Sequence, residues 1–247
     1  MTSEWGKGTA DHTERRFLSG ARPRGSELAY ALDVFREMVR GFRAFHFVGP
    51  CVTVFGSARF TETHRYYELA RHAGAELAAA GFTVMTGGGP GVMEAANRGA
   101  REAGGRSVGC NIILPVEQEP NRYLDRFFEC RYFFVRKLLL AKYSYAFIAA
   151  PGGYGTLDEL TEILVLIQTE KMKSFPVVLL GRDYWHGLIE FFRDTLVARA
   201  TIKPEDLDRL VITDDPVEAV RSIREVAMSE FGLSYASRAR RRWWLGE

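Results

Sequence analysis

The sequence alternates short apolar segments with longer segments of helical periodicity over most of its length. The apolar segments, each with the length and composition of a buried strand, are 51–55, 82–85, 107–114, 145–150, 175–180 and 211–213. Between most of them, apolar residues recur at helical spacing. Buried strands that alternate with helices form parallel sheets covered by helices on both faces. We therefore predict an α/β fold built on such a sheet.

The chain has 247 residues, of which 47% are hydrophobic and 26% charged. This composition is typical of a globular protein with one large domain or two small ones. We predict a single domain over residues 26–235, preceded by a flexible tail (1–25) and followed by a basic and aromatic tail (236–247). Helical spacing also predicts an additional N-terminal helix over 26–47, and a last helix that is capped near Asp215.

Charge and composition argue against several classes of partner. Lys plus Arg is 33 and Asp plus Glu is 31, so the near-neutral balance gives no reason to expect nucleic acid or a membrane surface as a partner. The apolar runs are far shorter than the ~18–20 residues that span a bilayer, and no secretory leader is recognisable. The three cysteines and five histidines have no metal-ligand spacing. We expect a cytoplasmic protein without a metal.

The C-terminal segment RARRRWW (238–244) combines arginine with tryptophan. Arginine neutralises phosphate and tryptophan stacks on bases, so contact with nucleic acid is conceivable. Charged runs are more often solvated, and we expect a solvated tail or one that docks on a neighbouring subunit.

Two glycine-rich turns each join a predicted strand to a predicted helix. They are TGGGPGVME (86–94) and PGGYGTLDE (151–159). Glycine lets a ligand approach the backbone closely, and the start of a helix attracts anions. Both turns follow strands, so they lie at the edge of a parallel sheet where ligands bind. Neither matches GxGxxG or a Walker A motif, which favours a mononucleotide or sugar phosphate over NAD or ATP.

Purely structural roles remain open for the polar residues of these turns. Thr156 and Glu159 have the spacing of a capping box, in which Glu159 only secures the start of the helix. Glu94 could merely favour the helix dipole. Asn97 and Asp158 could be solvated helix residues.

Three motifs together resemble a known family. They are GGGPGVMEAANRGA (87–100), the pair Arg136-Lys137, which alone could also be an exposed basic edge, and PGGYGTLDE (151–159). In this combination they resemble the LONELY GUY family, over roughly residues 51–220. The resemblance implies a Rossmann-like, doubly wound fold, to which this chain adds N- and C-terminal helices.

The resemblance also implies an activity. The family hydrolyses the N-glycosidic bond of nucleoside 5′-monophosphates, such as cytokinin riboside monophosphates or AMP, to a free base and ribose 5-phosphate. It requires no cofactor, and its members are dimers or larger assemblies with the site near a subunit boundary.

Functional residues carry over by position. Arg136 and Glu159 match the catalytic pair. The residues expected to bind substrate are Gly56, Ser57, Glu94, Asn97, Glu117, Lys137, Gly152, Gly153, Tyr154, Gly155 and Thr156. The sequence departs from many members in reading FFVRK instead of MHxRK, in Asp158 where they have Glu, and in its long extensions. The extensions resemble those of a longer bacterial branch of the family, and the departures leave the preferred base open.

In this hypothesis Glu159 lies near C1′ and stabilises an oxocarbenium-like sugar or activates water. The start of the helix would keep its carboxyl ionised. Two other functions share parts of the pattern. A non-catalytic nucleotide carrier or sensor would need the glycine turns but not both Arg136 and Glu159. A pyridoxal-phosphate decarboxylase would need a Schiff-base lysine, for which Lys137 and Lys142 are available without any cofactor pattern.

Overall fold

The computed structural model describes residues 13–18, 20–113 and 119–229. Within these ranges the strands are β1 (Cys51–Phe55), β2 (Thr83–Thr86), β3 (Ser107–Ile112), β4 (Arg126–Cys130), β5 (Ser144–Ala149), β6 (Val177–Leu180) and β7 (Leu210–Thr213). The helices are α1 (Thr13–Phe17), α2 (Arg24–Phe45), α3 (Arg65–Ala79), α4 (Val92–Glu102), α5 (Phe133–Tyr143), α6 (Tyr154–Gln168), α7 (Arg182–Phe191), α8 (Pro204–Leu207) and α9 (Pro216–Ser229). A π-helical turn, Phe192–Val197, continues α7. In the described part of the chain, no helix combines the length and hydropathy needed to cross a membrane.

The strands form one seven-stranded sheet in the order β4-β3-β2-β1-β5-β6-β7. Every neighbouring pair is parallel. The chain winds outward in one direction from β1 to β4 and then returns to place β5 on the other side of β1. The predicted doubly wound parallel sheet is confirmed, and its topological switch point lies between β1 and β5.

Apolar side chains cover both faces of the sheet. On one face α3, α4 and α9 bury mainly small aliphatic residues, including Ala73, Ala96 and Ala219. On the other face α2, α5, α6 and α7 bury larger side chains, including Phe45, Leu139 and Trp185. The strands between them are buried on both sides, which explains why most of them read as continuous apolar runs.

Strand β4 is the main element that the sequence did not predict. Its residues RFFEC belong to none of the apolar segments predicted as strands. The strand lies at the edge of the sheet, where one side is open to solvent, so the exposed Arg126 and Glu129 interrupt the apolar pattern. Such an edge strand lacks the apolar run by which the other strands were recognised.

The segment predicted as an N-terminal tail is partly packed. Helix α1 lies within it, and the ring of Phe17 stacks on that of Tyr30 in α2 with a centroid separation of 3.9 Å. Residues 1–12 lie outside the described residues. At the other end, Asp215 accepts a hydrogen bond from the backbone N–H of Val217 (2.9 Å), as expected for the cap of the last helix.

Two glycines allow α3 and α4 to pack closely. A Cβ at Gly99 would lie 1.8 Å from the carbonyl oxygen of Arg71, and one at Gly74 would lie 2.1 Å from that of Ala96. We expect Gly99→Ala to lower the free energy of unfolding by about 1–3 kcal/mol, because the clash is with backbone that cannot rotate away. Urea denaturation would measure the effect.

Gly187→Ala in α7 is the matched control. A Cβ there would contact no described atom within 4 Å, so this substitution should be neutral or stabilise by up to about 1 kcal/mol. Equal effects of the two substitutions would contradict the packing argument.

Candidate active site

The switch point brings together the turns that follow β1 and β5. The backbone N–H of Ser57 donates to the carbonyl oxygen of Pro151 at 3.0 Å. Gly152 has to be glycine here, because a Cβ would lie 2.1 Å from Oγ1 of Thr156 and 2.9 Å from the backbone nitrogen of Ser57. Four of the predicted substrate residues, Gly56, Ser57, Gly152 and Thr156, therefore converge at the carboxyl ends of the two central strands.

The first glycine-rich turn joins the same junction. The carbonyl oxygen of Ser57 accepts the backbone N–H of Val92, the first residue of α4, at 2.9 Å. Gly91 has a φ of +70°, and a Cβ there would lie 2.4 Å from the Ser57 carbonyl. Gly56 is restricted in the same way, with a Cβ position 2.3 Å from Val92. The starts of α4 and α6 are thus linked through Ser57.

The second turn leaves the start of α6 open. Gly153 is the N-cap and provides no side-chain hydrogen bond to the helix. A Cβ built at Gly153 or Gly155 would meet no described atom within 4 Å, so intramolecular packing does not require glycine at either position. Tyr154 between them is 92% exposed. Exposed N–H groups at a helix start, without bulky neighbours, are suited to binding an anion.

Glu159 is not a capping residue. Because α6 begins at Tyr154, Thr156 is the third residue of the helix and cannot be its cap. The Glu159 carboxylate instead accepts a hydrogen bond from Arg136 Nη1 at 2.8 Å. Arg136 Nε donates at 3.0 Å to the carbonyl oxygen of Cys110, at the C-terminal half of β3. The capping-box alternative is wrong, and the two predicted catalytic side chains form one ion pair.

The environment of this pair sets its electrostatics. The side chains of Arg136 and Glu159 are 15% and 6% exposed. Burial raises the pKa of the Glu159 carboxyl above its ordinary value, and the positive charge of Arg136 opposes that rise. The sequence argument expected the start of α6 to keep the Glu159 carboxyl ionised. In the structure, the charge that favours the ionised form is the guanidinium of Arg136, from α5.

Lys137 forms ion pairs with two carboxylates of α6 other than Glu159. Its ammonium lies 2.9 Å from Oδ1 of Asp158 and 3.3 Å from Oε2 of Glu162. Asp158 is exposed, as expected for a solvated residue, but it is also half of an ion pair. Lys137, expected to bind substrate, thus ties α5 to α6 beside the Arg136–Glu159 pair.

Glu94 lies in the first turn of α4, where its charge also suits the helix dipole. It is partly buried and accepts a hydrogen bond from the hydroxyl of Tyr67 at 3.2 Å. This contact fixes the carboxylate near the first glycine-rich turn without excluding contact with a ligand.

Asn97 belongs to a buried network beneath the first glycine-rich turn. Its Oδ1 accepts hydrogen bonds from the hydroxyl of Thr86 (2.6 Å) and from Nδ2 of Asn121 (3.0 Å). Asn121 also donates to the carbonyl oxygen of Gly89, and Thr86 accepts the N–H of Gly88. The alternative that Asn97 is solvated is wrong, and its contacts show it supporting the turn from within.

Sequence reasoning missed Tyr184, at the start of α7. Its hydroxyl donates to the carbonyl oxygen of Gly152 at 2.6 Å. The bond secures the turn that precedes α6. No local pattern marks this tyrosine, because its partner lies 32 residues away in the sequence.

Two predicted features fall outside the described residues: Glu117 and the basic–aromatic tail. Among the residues that are described, no group of three or more His, Cys, Asp or Glu side chains is arranged to hold a metal ion.

Comparison with known proteins identifies a matching family model and several related sequences. The family model described as "Possible lysine decarboxylase" matches residues 93–223. The cytokinin riboside 5′-monophosphate phosphoribohydrolase LOG of Oryza sativa is 33% identical over 181 residues, 70% of this chain and 71% of the rice protein. The cytokinin riboside 5′-monophosphate phosphoribohydrolase LOG3 of Arabidopsis thaliana is 30% identical over 71% of this chain and 82% of its own. One from Mycobacterium tuberculosis is 31% identical over 63% and 83%.

Solved structures share the fold. The molybdenum cofactor carrier protein of Chlamydomonas reinhardtii superposes with a TM-score of 0.56 at 25% identity, over 73% of this chain and 99% of that one. The molybdenum cofactor binding protein of Rippkaea orientalis gives 0.53 at 25% identity, over 72% and 97%.

Proposed function

Since the chain belongs to the LONELY GUY family, we propose that it hydrolyses the N-glycosidic bond of a nucleoside 5′-monophosphate, giving a free base and ribose 5-phosphate. The observation that carries the proposal is the buried Arg136–Glu159 pair at the switch point, about one and a half helical turns beyond an uncapped helix start. A catalytic carboxylate and an anion site on the same helix suit a substrate with a phosphate close to the bond that breaks.

The phosphate binds at the start of α6 in this proposal. The backbone N–H groups of Gly155 and Thr156, together with the Thr156 hydroxyl, are the donors, and Gly153 leaves room for the anion. The partial positive charge of the helix start adds to these bonds. The phosphate takes no part in the bond cleavage, and the binding energy gained there positions the sugar for reaction.

Glu159 acts on the sugar. Cleavage of a glycosidic bond develops positive charge on the ring, and a carboxylate close to C1′ stabilises that charge or activates the attacking water. Both roles require the ionised form, which Arg136 favours through a charge-assisted hydrogen bond. Arg136 also fixes the direction of the carboxylate, because its Nε is anchored to Cys110.

The proposed substrates are cytokinin riboside monophosphate and AMP, the first by analogy with the names of the relatives. We further propose a cytoplasmic homo-oligomer. Helix α2 supports self-association, because Leu28, Leu32, Phe35 and Val39 are exposed at helical spacing and form an apolar stripe. Light scattering coupled to gel filtration would report the mass in solution.

The alternative is a carrier or sensor that binds a nucleotide-like ligand without cleaving it. The structural likeness to molybdenum cofactor carrier and binding proteins favours it. Incubating the purified protein with AMP, isopentenyladenosine monophosphate, CMP and adenosine, followed by chromatography for free base, separates the two. Binding of AMP without release of adenine from any compound would favour the carrier.

Removal of the 5′-phosphate should have a large effect. We expect kcat/KM for adenosine to be at least about 10²-fold below that for AMP, because the charge-assisted hydrogen bonds to the phosphate, of about 1.5–3 kcal/mol each, are lost. Inorganic phosphate should inhibit AMP cleavage competitively. Equal kinetic constants for AMP and adenosine would contradict a phosphate site at α6.

A further inference from the structure

The helix that carries Arg136 has no capping residue of its own. Helix α5 begins at Phe133, and the side chain of its N-cap, Tyr132, makes no capping hydrogen bond. Its first turn contains no acidic residue. The first N–H groups of a helix have no partner within the helix, and a buried helix start requires acceptors from elsewhere.

The N-terminal helices α1 and α2 supply those acceptors. The two carboxylate oxygens of Glu37 accept the backbone N–H of Arg131 at 3.0 and 3.1 Å, and one of them also accepts that of Tyr132 at 3.3 Å. Glu14 accepts the N–H of Phe133 at 3.0 Å. The backbone donors of the two residues before α5 and of its first residue are thus bound by carboxylates more than 90 residues earlier in the chain.

Glu37 is placed as a structural cap rather than as a surface charge. It is only 7% exposed, among the apolar side chains through which α2 packs on the domain. A carboxylate at such a site requires hydrogen bonds and compensating charge, and the positive end of α5 provides both. The same contact that stabilises Glu37 therefore fixes the position of the helix start.

A short chain of hydrogen bonds connects this cap to the catalytic pair. The N–H of Tyr132 binds Glu37, and the carbonyl oxygen of Tyr132 accepts the backbone N–H of Arg136 at 3.1 Å. From that backbone position the guanidinium reaches Cys110 and Glu159. A shift or fraying of the first turn would move Arg136 relative to Glu159.

We propose that Glu37 is a positioning residue, which holds the start of α5 and so sets Arg136 against Glu159. Helix α2 lies outside residues 93–223, the region that the family model matches. The inference thus gives the N-terminal extension a part in catalysis. Its kinetic consequence rests on the proposed function, whereas the capping itself does not.

The first test is Glu37→Gln, which keeps the length of the side chain but removes its charge and one acceptor oxygen. We expect kcat for AMP to fall about 10-fold, and KM to stay within about 2-fold because the phosphate site belongs to α6. A thermal melt would establish that the variant is folded at the assay temperature. An unchanged kcat in folded protein would overturn the proposal.

Asp215→Ala is the control, since Asp215 caps α9 through the N–H of Val217 and alanine removes that acceptor at a cost of about 1 kcal/mol. It should lower the melting temperature and leave kcat within about 2-fold. An equal loss of kcat in this variant would mean that weakened capping anywhere impairs the enzyme, and the specific role of Glu37 would be wrong.

A double-mutant cycle tests whether Glu37 acts through Arg136. In an Arg136→Lys background, whose side chain no longer makes the same pair of contacts, Glu37→Gln should lower kcat by less than about 2-fold. A full 10-fold further loss would show that the two residues act independently. If Glu37→Gln does not fold, Glu14→Gln provides the same test, with an expected loss of about 2–3-fold.

Amide hydrogen exchange gives a readout that does not depend on activity. We expect the amides of Arg131 and Tyr132 to exchange at least about 10-fold faster in Glu37→Gln than in the wild type, with no change in α9. Unchanged exchange would exclude the capping role. If the wild type releases no base, the proposed function fails, and this measurement still decides whether Glu37 holds α5.

Discussion

Glu159→Gln should lower turnover of AMP by about 10²–10⁴-fold, the range expected when a catalytic carboxylate is removed. Glutamine has the same shape and can still accept a hydrogen bond from Arg136, so the fold should survive. It cannot stabilise a positive sugar or accept a proton from water. Free adenine measured by chromatography would report the loss, and KM for AMP should change little because the phosphate donors are intact.

The control is Glu218→Gln in the first turn of α9, where the carboxylate accepts the hydroxyl of Thr213 instead of pairing with a residue of the catalytic pair. Its turnover should match the wild type. If Glu159→Gln retained turnover within a few-fold, the carboxylate would be structural and the carrier alternative would gain support.

The same carboxyl should be visible in the pH profile. Burial raises the pKa of Glu159, and the proposed mechanism needs the ionised form. The acidic limb of kcat/KM should therefore lie at higher pH than an ordinary glutamate would give, and activity should fall as the pH decreases through it. This limb should be absent from any residual activity of Glu159→Gln.

The sequence predicted most reliably the strands whose burial is visible in their own apolar residues. Strand β1 was predicted with the bounds that the structure has, because it is buried on both faces and is apolar at every position except Thr53. Strand β4 was missed because it lies at the edge and carries charged residues on its open side. The alternation of strands and helices predicted a parallel sheet. The parallel sheet in turn predicted that both glycine-rich turns lie at the carboxyl ends of the strands.

The candidate site could be predicted only in part. The family motifs contain Arg136 and Glu159, but spacing alone could not separate a capping box from an ion pair. That distinction depends on where α6 begins. The helix has Gly153 as its N-cap, so Thr156 lies inside the helix and cannot form a capping box with Glu159. The supporting residues Glu37 and Tyr184 act on backbone groups 94 and 32 residues away, so no local pattern reveals them.

Arg136→Met should damage both stability and activity, for separate reasons. The substitution leaves the Glu159 carboxylate buried without its partner, and breaking a buried ion pair in this way costs about 3–5 kcal/mol. Turnover should fall by about 10²–10³-fold, since a preorganised donor to the reacting carboxylate is lost. Urea denaturation and the adenine-release assay would measure the two effects.

The stability defect should depend on pH with a definite sign. Without Arg136, the folded-state pKa of Glu159 rises further above its unfolded value. Protonated Glu159 is then tolerated in the folded protein, so the variant approaches the wild type at low pH and loses stability as the pH rises through the folded-state pKa. Arg101→Met, which removes an exposed ion pair with Asp125, should cost no more than about 1 kcal/mol at any pH.

The double variant Arg136→Met/Glu159→Gln separates the two roles. With neither charge present, no ion is left buried without a partner, and most of the stability lost in Arg136→Met should return. Activity should stay as low as in Glu159→Gln, because the reacting carboxylate is still missing. A double variant no more stable than Arg136→Met would mean that Arg136 stabilises the protein through Cys110 rather than through Glu159. Recovered stability without recovered turnover is the result expected if the pair is retained for catalysis, since uncharged side chains can fill the same space.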